Sequence, residues 1–126
     1  HFGEATLTFP QTLVLRYTHF EPEGRKQPQV AQDYAKWFLA RLRALEPRLA
    51  SSMFLCAGRF TAADVSVGYA LLLAQHLGLA DQFTPHVAAY WAALQQRPGY
   101  QRAQEAQWQA AKDQGLPAIA APDIRA

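Results

Sequence analysis

Phe60-Thr61-Ala62-Ala63-Asp64-Val65, running on through Ser66-Val67-Gly68-Tyr69-Ala70-Leu71-Leu72-Leu73-Ala74-Gln75-His76-Leu77-Gly78, is the stretch from which the fold can be read. Thr61 and Asp64 stand at the spacing of a capping box. The Thr hydroxyl would accept from the Asp64 amide while the carboxylate reaches back to the Thr61 amide. Phe60 before the cap and Val65 one turn in have the spacing of a hydrophobic staple. Beyond this start, apolar residues point in every direction: Val65, Val67, Tyr69, Ala70, Leu71, Leu72, Leu73, Ala74 and Leu77. A helix that is apolar all round is buried in a larger body or lies in a membrane. The run from Val65 to Leu77 is short of the roughly 20 residues a membrane span needs. The stretch therefore predicts a central buried helix over Thr61–Leu77, closed by Gly78 at a left-handed C-cap position.

The rest of the chain must supply what buries it. The 126 residues suffice for one domain with a real core and not for two. Half of them are hydrophobic, and the net charge is only +2. Arg and Lys are scattered, without the concentrated basic face of a nucleic-acid binder. Cys56 is the single cysteine, which excludes an internal disulfide and points to a reducing, cytoplasmic setting. The first ten residues lack the basic region and apolar core of a signal peptide. His1 is not an initiator methionine and a helical pattern is under way by Phe2, so a piece of a longer chain is expected. His1, His19, His76 and His86 show no ligand spacing, and no metal site is expected.

Upstream of the central stretch, Phe2, Ala5, Phe9, Leu13 and Tyr17 recur at helical spacing, with Leu7 and Val14 widening the stripe and Pro10 predicting a kink. Glu21–Pro28 is polar and bounded by prolines, a mobile loop. A second helix is expected over 29–45, with Val30, Tyr34, Trp37, Phe38, Leu42 and Leu45 on one face and Pro47 ending or breaking it. Residues 51–59 hold Phe54 and Leu55, too apolar to float free. Downstream, Leu79–Phe83 is a linking turn and Thr84-Pro85 an N-cap followed by the first helical position. Val87, Ala88, Trp91, Ala92 and Leu94 form the buried face of that helix. After Arg97-Pro98-Gly99, a last helix carries Tyr100, Ala103 and Trp108 inward to about Lys112. Residues 114–126 are an irregular tail. The reading is an all-α bundle of about five helices over residues 1–113.

Phe54-Leu55-Cys56-Ala57-Gly58-Arg59-Phe60-Thr61-Ala62-Ala63-Asp64 resembles the FLAGxxFTxAD segment of glutathione transferase C-terminal domains, which caps their central sixth helix. Arg97-Pro98-Gly99-Tyr100-Gln101-Arg102-Ala103 is similar to the arginine–proline turn that opens the family's eighth helix. Helix order and loop lengths also fit, over roughly residues 2–112. The resemblance implies a parent enzyme, with a role in detoxification, that attacks small apolar electrophiles with the glutathione thiolate or carries out a related glutathione-dependent isomerisation or reduction. It implies that the glutathione site and the thiol-activating Tyr, Ser or Cys lie on a preceding thioredoxin-like domain. This chain would then hold no catalytic residue and no cofactor of its own. It would supply the electrophile pocket, half of a homodimer interface and an apolar face for the missing domain, and would be inactive alone. A non-catalytic interaction module of the same fold, such as those assembled with translation factors and synthetases, is the alternative.

On the central helix, Ser66, Tyr69, Leu73 and His76 share one stripe, three of them polar on an otherwise apolar helix. The family's geometry makes this the pocket face, though Tyr69 and His76 also fit as core or rim residues. Glu4, Thr8 and Thr12 form a polar stripe that would face the same pocket from the opening helix, or else simply face solvent. Phe60, Thr61, Asp64 and Val65 are structural, since helix-end donors need them and catalysis does not. Cys56 has no neighbouring base and is expected to be a filler. Trp37, Trp91 and Trp108 are expected to pack between helices.

Overall fold

Helices make up all the regular structure in the computed structural model, which is described over residues 1–117; no strand occurs among them. The irregular tail expected at 114–126 falls mostly outside the described residues. The opening rod spans residues 2–20. Its middle is α1, Phe9–Leu15, continued at either end by the π-helical segments Phe2–Thr8 and Arg16–Phe20. Pro10 lies in the first turn of α1, where π winding changes to α. The rod's buried side is Gly3, Leu7, Pro10, Gln11 and Val14, whereas Phe2, Phe9 and Phe20 are exposed. The predicted aromatic stripe is thus one position off the side that packs. The reason is steric: the rod crosses the central helix so closely that a Cβ on Gly3 would lie 2.1 Å from Ser66 Oγ. No aromatic residue could occupy that crossing.

Helix α2, Pro28–Leu42, leads through a 3-10 turn, Arg43–Leu45, into α3, Glu46–Ser51. Pro47 therefore does not end the segment; it falls in the first turn of α3, where a missing N–H costs no helical bond. The buried residues of α2 are Ala31, Phe38, Leu39 and Leu42. Trp37 is exposed and stacks on half-buried Tyr34, ring centroids 5.7 Å apart. The expected face is otherwise the packed one, with Phe38 and Leu42 buried and Val30, Tyr34 and Leu45 half-buried. The loop after α3 turns at Cys56–Arg59, with Ala57 and Gly58 at φ 56° and 63°.

Helix α4, Ala62–His76, is the predicted central helix, with Thr61 as N-cap, Leu77 as C-cap and Gly78 at φ 76°. Its Val67, Ala70, Leu71 and Ala74 are buried against Leu7, Phe38, Val87 and Leu94 in one continuous core. After a 3-10 turn, Ala80–Gln82, come α5, Pro85–Gln95, and α6, Pro98–Asp113. Helix α5 buries Tyr90 as well as Val87, Trp91 and Leu94, while Ala88 and Ala92 stay exposed. Helix α6 has no buried residue, and Trp108 on it is exposed, contrary to its expected inward face.

Thr84 holds the N-cap position of α5, yet its hydroxyl does not cap its own helix; it donates to Glu46 at the start of α3. The Glu46 carboxylate takes over the cap, accepting from the amides of His86 at 3.1 Å and Val87 at 3.3 Å. The His86 ring Nδ1 lies 2.7 Å from Glu46 Oε1. Four groups on α5 and its cap thus converge on one carboxylate, with the Thr84 hydroxyl the largest cause, and hold it down to about 2. A negative charge at a helix N-terminus also favours the helix dipole.

Candidate functional site

The start of α4 is built around Asp64. The Thr61 amide donates to Asp64 Oδ2 at 2.9 Å, completing the capping box, and the Leu55 amide reaches Oδ1 at 3.3 Å. The Tyr90 hydroxyl, on α5, donates to Oδ1 at 2.7 Å. Asp64 is 1% exposed, so this is a buried carboxylate that survives because donors meet both its oxygens. Burial first, then the carboxylate beside it, pushes the Tyr90 phenol well above its ordinary range. The Phe60 ring next to this cap carries the Arg97 guanidinium 3.8 Å from its centroid and meets Phe54 edge-on at 6.3 Å. Phe60 and Val65, the expected staple, are both partly open to solvent and both line the groove described next.

That groove lies between α4 and α6 and has a volume of about 720 Å³. Val65, Tyr69 and Leu72 of α4 form one side at spacings of four and three. Trp91 and Leu94 of α5 form the floor, and Tyr100 and Ala103 of α6 face them. The Trp91 indole is fixed from two directions: its Nε1 donates to Gln75 Oε1 at 2.6 Å, and Tyr100 meets it edge-on at 5.6 Å. Val65 and Tyr69 are each 59% exposed, so the helix that reads as apolar all round keeps one uncovered stripe. Arg97 and Arg102 also line the groove, and no carboxylate lies within ion-pair distance of either among the described residues. Arg97 also takes the N-cap position of α6, where no side chain caps the helix.

The other candidate residues separate by face. Ser66 and Glu4 come together, the Ser66 hydroxyl donating to Glu4 Oε1 at 3.0 Å across the crossing of the rod with α4. That hydrogen bond is the main cause lowering the Glu4 carboxyl. Thr12 is exposed and donates to Phe9 O at 2.7 Å, and Thr8 is half-buried beside it. Leu73 is half-buried and His76 exposed, neither lining the groove. Tyr69 alone of the seven pocket candidates lines it. Arg97, Arg102, Tyr100 and Leu72 are among its residues that sequence reasoning did not select for a pocket. The signal for Leu72 was present, since it continues the Val65–Tyr69 spacing. Gln11, also unselected, is fully buried at the rod crossing, its Nε2 bonding Leu7 O at 3.1 Å and Ala70 O at 3.0 Å.

Among the described residues no cluster of three or more His, Cys, Asp or Glu could hold a metal ion. None of the described helices is long and apolar enough to cross a membrane. No family model matches this chain, and no curated protein matches it.

Proposed function

We propose that this chain is the electrophile-binding helical half of a glutathione transferase-like enzyme, with the α4–α6 groove as the wall of the second-substrate pocket. The observation that carries the reading is the uncovered Val65–Tyr69–Leu72 stripe opposite Tyr100 and Ala103. A groove of about 720 Å³ falls within the volumes of small-molecule sites, which run roughly 300–1,000 Å³ with mostly apolar walls. Its one carboxylate, Asp64, is committed to Tyr90, Leu55 and Thr61. The groove thus offers surface for binding and orientation and no nucleophile paired with a base.

The thiolate would come from a thioredoxin-like domain preceding this one, which binds glutathione and lowers the thiol pKa. The sulfur attacks the electrophilic carbon, and either the leaving group departs or the thiol adds across an activated double bond. The groove's part is to hold that carbon in line, the kind of positioning that turns a bimolecular step into an effectively unimolecular one. The homodimer and the detoxifying role belong to this same reading.

The test is to read the coding sequence directly upstream of His1 and to assay the full polypeptide beside the present chain. Glutathione and chlorodinitrobenzene serve as substrates, followed by absorbance. A thioredoxin-like upstream domain, turnover by the full polypeptide and none by this chain are expected. A tRNA-charging or translation-factor domain upstream would establish the interaction module instead, and turnover by the isolated chain would overturn the division of labour.

A further inference from the structure

Resting on the reading of the groove as a small-molecule site, we infer that its ligand is a planar aromatic molecule bearing one carboxylate, held by Arg97 and Arg102 of its lining. Three observations bear on this. The walls and floor are aromatic and aliphatic, with Tyr69, Trp91 and Tyr100 placed to contact a flat ring and the Trp91 indole locked by Gln75 and Tyr100. Aromatic faces of this kind favour an aromatic guest over a branched aliphatic one.

The charge is one-sided. Arg97 and Arg102 both line the groove, and no acidic partner lies within 4.0 Å of either among the described residues. Asp64, the only acidic residue on the lining, is 1% exposed and already accepts from Tyr90, Thr61 and Leu55. It therefore does not serve as counter-ion to either guanidinium on the lining. An apolar groove with two unneutralised arginines on its lining is complementary to an apolar body with one negative head. Guanidinium matches carboxylate bidentately, and such charge-assisted pairs are roughly twice as strong as neutral ones.

Arg97 is also held in place. Its guanidinium sits 3.8 Å over Phe60 and 6.0 Å from the Phe54 ring, so part of the ordering that binding would require is already present. Stacking on a ring face leaves the edge of the guanidinium, where its donors point, open for an anion. The uncapped start of α6 adds positive potential on the same side.

The experiment compares 2-naphthoate with 2-acetylnaphthalene, which has the same ring system without the charge, by titration calorimetry on the chain as it stands. The wild type is expected to bind naphthoate about tenfold more tightly or better, with the preference shrinking as salt is raised. Arg102→Gln, an exposed substitution, should cut that preference at least threefold and leave the affinity for 2-acetylnaphthalene unchanged. Arg97→Gln should do the same and serves as the second variant. Ala103→Trp, which fills the groove, should weaken both ligands. Equal affinities in the wild type, or a preference untouched by both arginine variants, overturn the inference while leaving the groove as a site for neutral guests. Binding of neither ligand overturns it together with the reading of the groove.

Discussion

Asp64 shows how one side chain can serve three parts of the chain. Its two oxygens take the Thr61 amide of its own helix cap, the Leu55 amide of the preceding loop and the Tyr90 hydroxyl of α5. A carboxylate buried to this degree is stable only while its donors stay in place, and the donors are stranded if it goes. Tyr90→Phe is expected to lower stability by about 1.5–3 kcal/mol, the range for a hydrogen bond to a charged group, as read from urea denaturation. Asp64→Ala should cost more, because it takes the acceptor from the Thr61 amide and hydroxyl, the Leu55 amide and the Tyr90 hydroxyl and also removes the helix cap. The two substitutions should be less than additive in a double-mutant cycle. Additive losses would mean that the phenol and the carboxylate do not stabilise one another.

At the scale of elements, two junctions decide how the helices sit. The rod reaches α4 through Gly3, where an added Cβ would meet Ser66 Oγ at 2.1 Å and the Ser66 carbonyl carbon at 2.9 Å. Gly3→Ala should therefore destabilise the chain by about 1–3 kcal/mol, the usual range for overpacking. Ser66→Ala should relieve only part of this, since the backbone carbon remains; thermal denaturation of the single and double variants reads both effects. The second junction is Glu46, which caps α5 from α3. Its folded-state carboxyl is held at about 2 against an ordinary 4.5, so its charge stabilises fully above 4.5 and that contribution is lost as pH falls through about 2. Glu46→Gln should melt below the wild type at pH 7, and the gap should narrow steadily between pH 4.5 and pH 2. A gap that stays constant over that window would show that shape, not charge, holds the junction.

For the whole molecule, the open stripe on α4 is the feature that sets it apart from an ordinary bundle. Val65 and Tyr69 are too exposed to contribute much to folding, yet they form a continuous apolar surface with Leu72 and α6. Such surfaces mark binding sites or association. The chain is expected to bind apolar fluorescent dyes and to self-associate at high concentration. Val65→Lys with Tyr69→Lys should at least halve the dye signal while changing stability by only about 0.5 kcal/mol each, as exposed substitutions do. Strictly monomeric elution without dye binding would argue against an uncovered face. On the proposed transferase reading, Tyr69→Ala in the parent polypeptide should raise KM for the electrophile several-fold and leave kcat nearly unchanged, the groove contributing only binding.

How much of this was legible in the residues follows from how local each feature is. The all-helical class, the bounds of α4, its capping box and the Gly78 terminator rest on interactions within a few residues, and the chain alone determined them. Tyr69 could be picked out because its hydroxyl falls on the stripe of α4 that also carries Ser66 and His76. The partners of Asp64 and Thr84 could not, since Tyr90 lies 26 positions from Asp64 and Glu46 lies 38 from Thr84. Periodicity also favoured the wrong face of the rod and placed Trp37 of α2 inward, because large aromatics dominate a hydrophobic pattern while close packing is set by small residues such as Gly3. The groove itself was out of reach for the same reason. Whether an apolar stripe is covered depends on where a distant helix comes to lie, and only the tertiary structure leaves α6 across the groove from α4 with Arg97 and Arg102 on its lining.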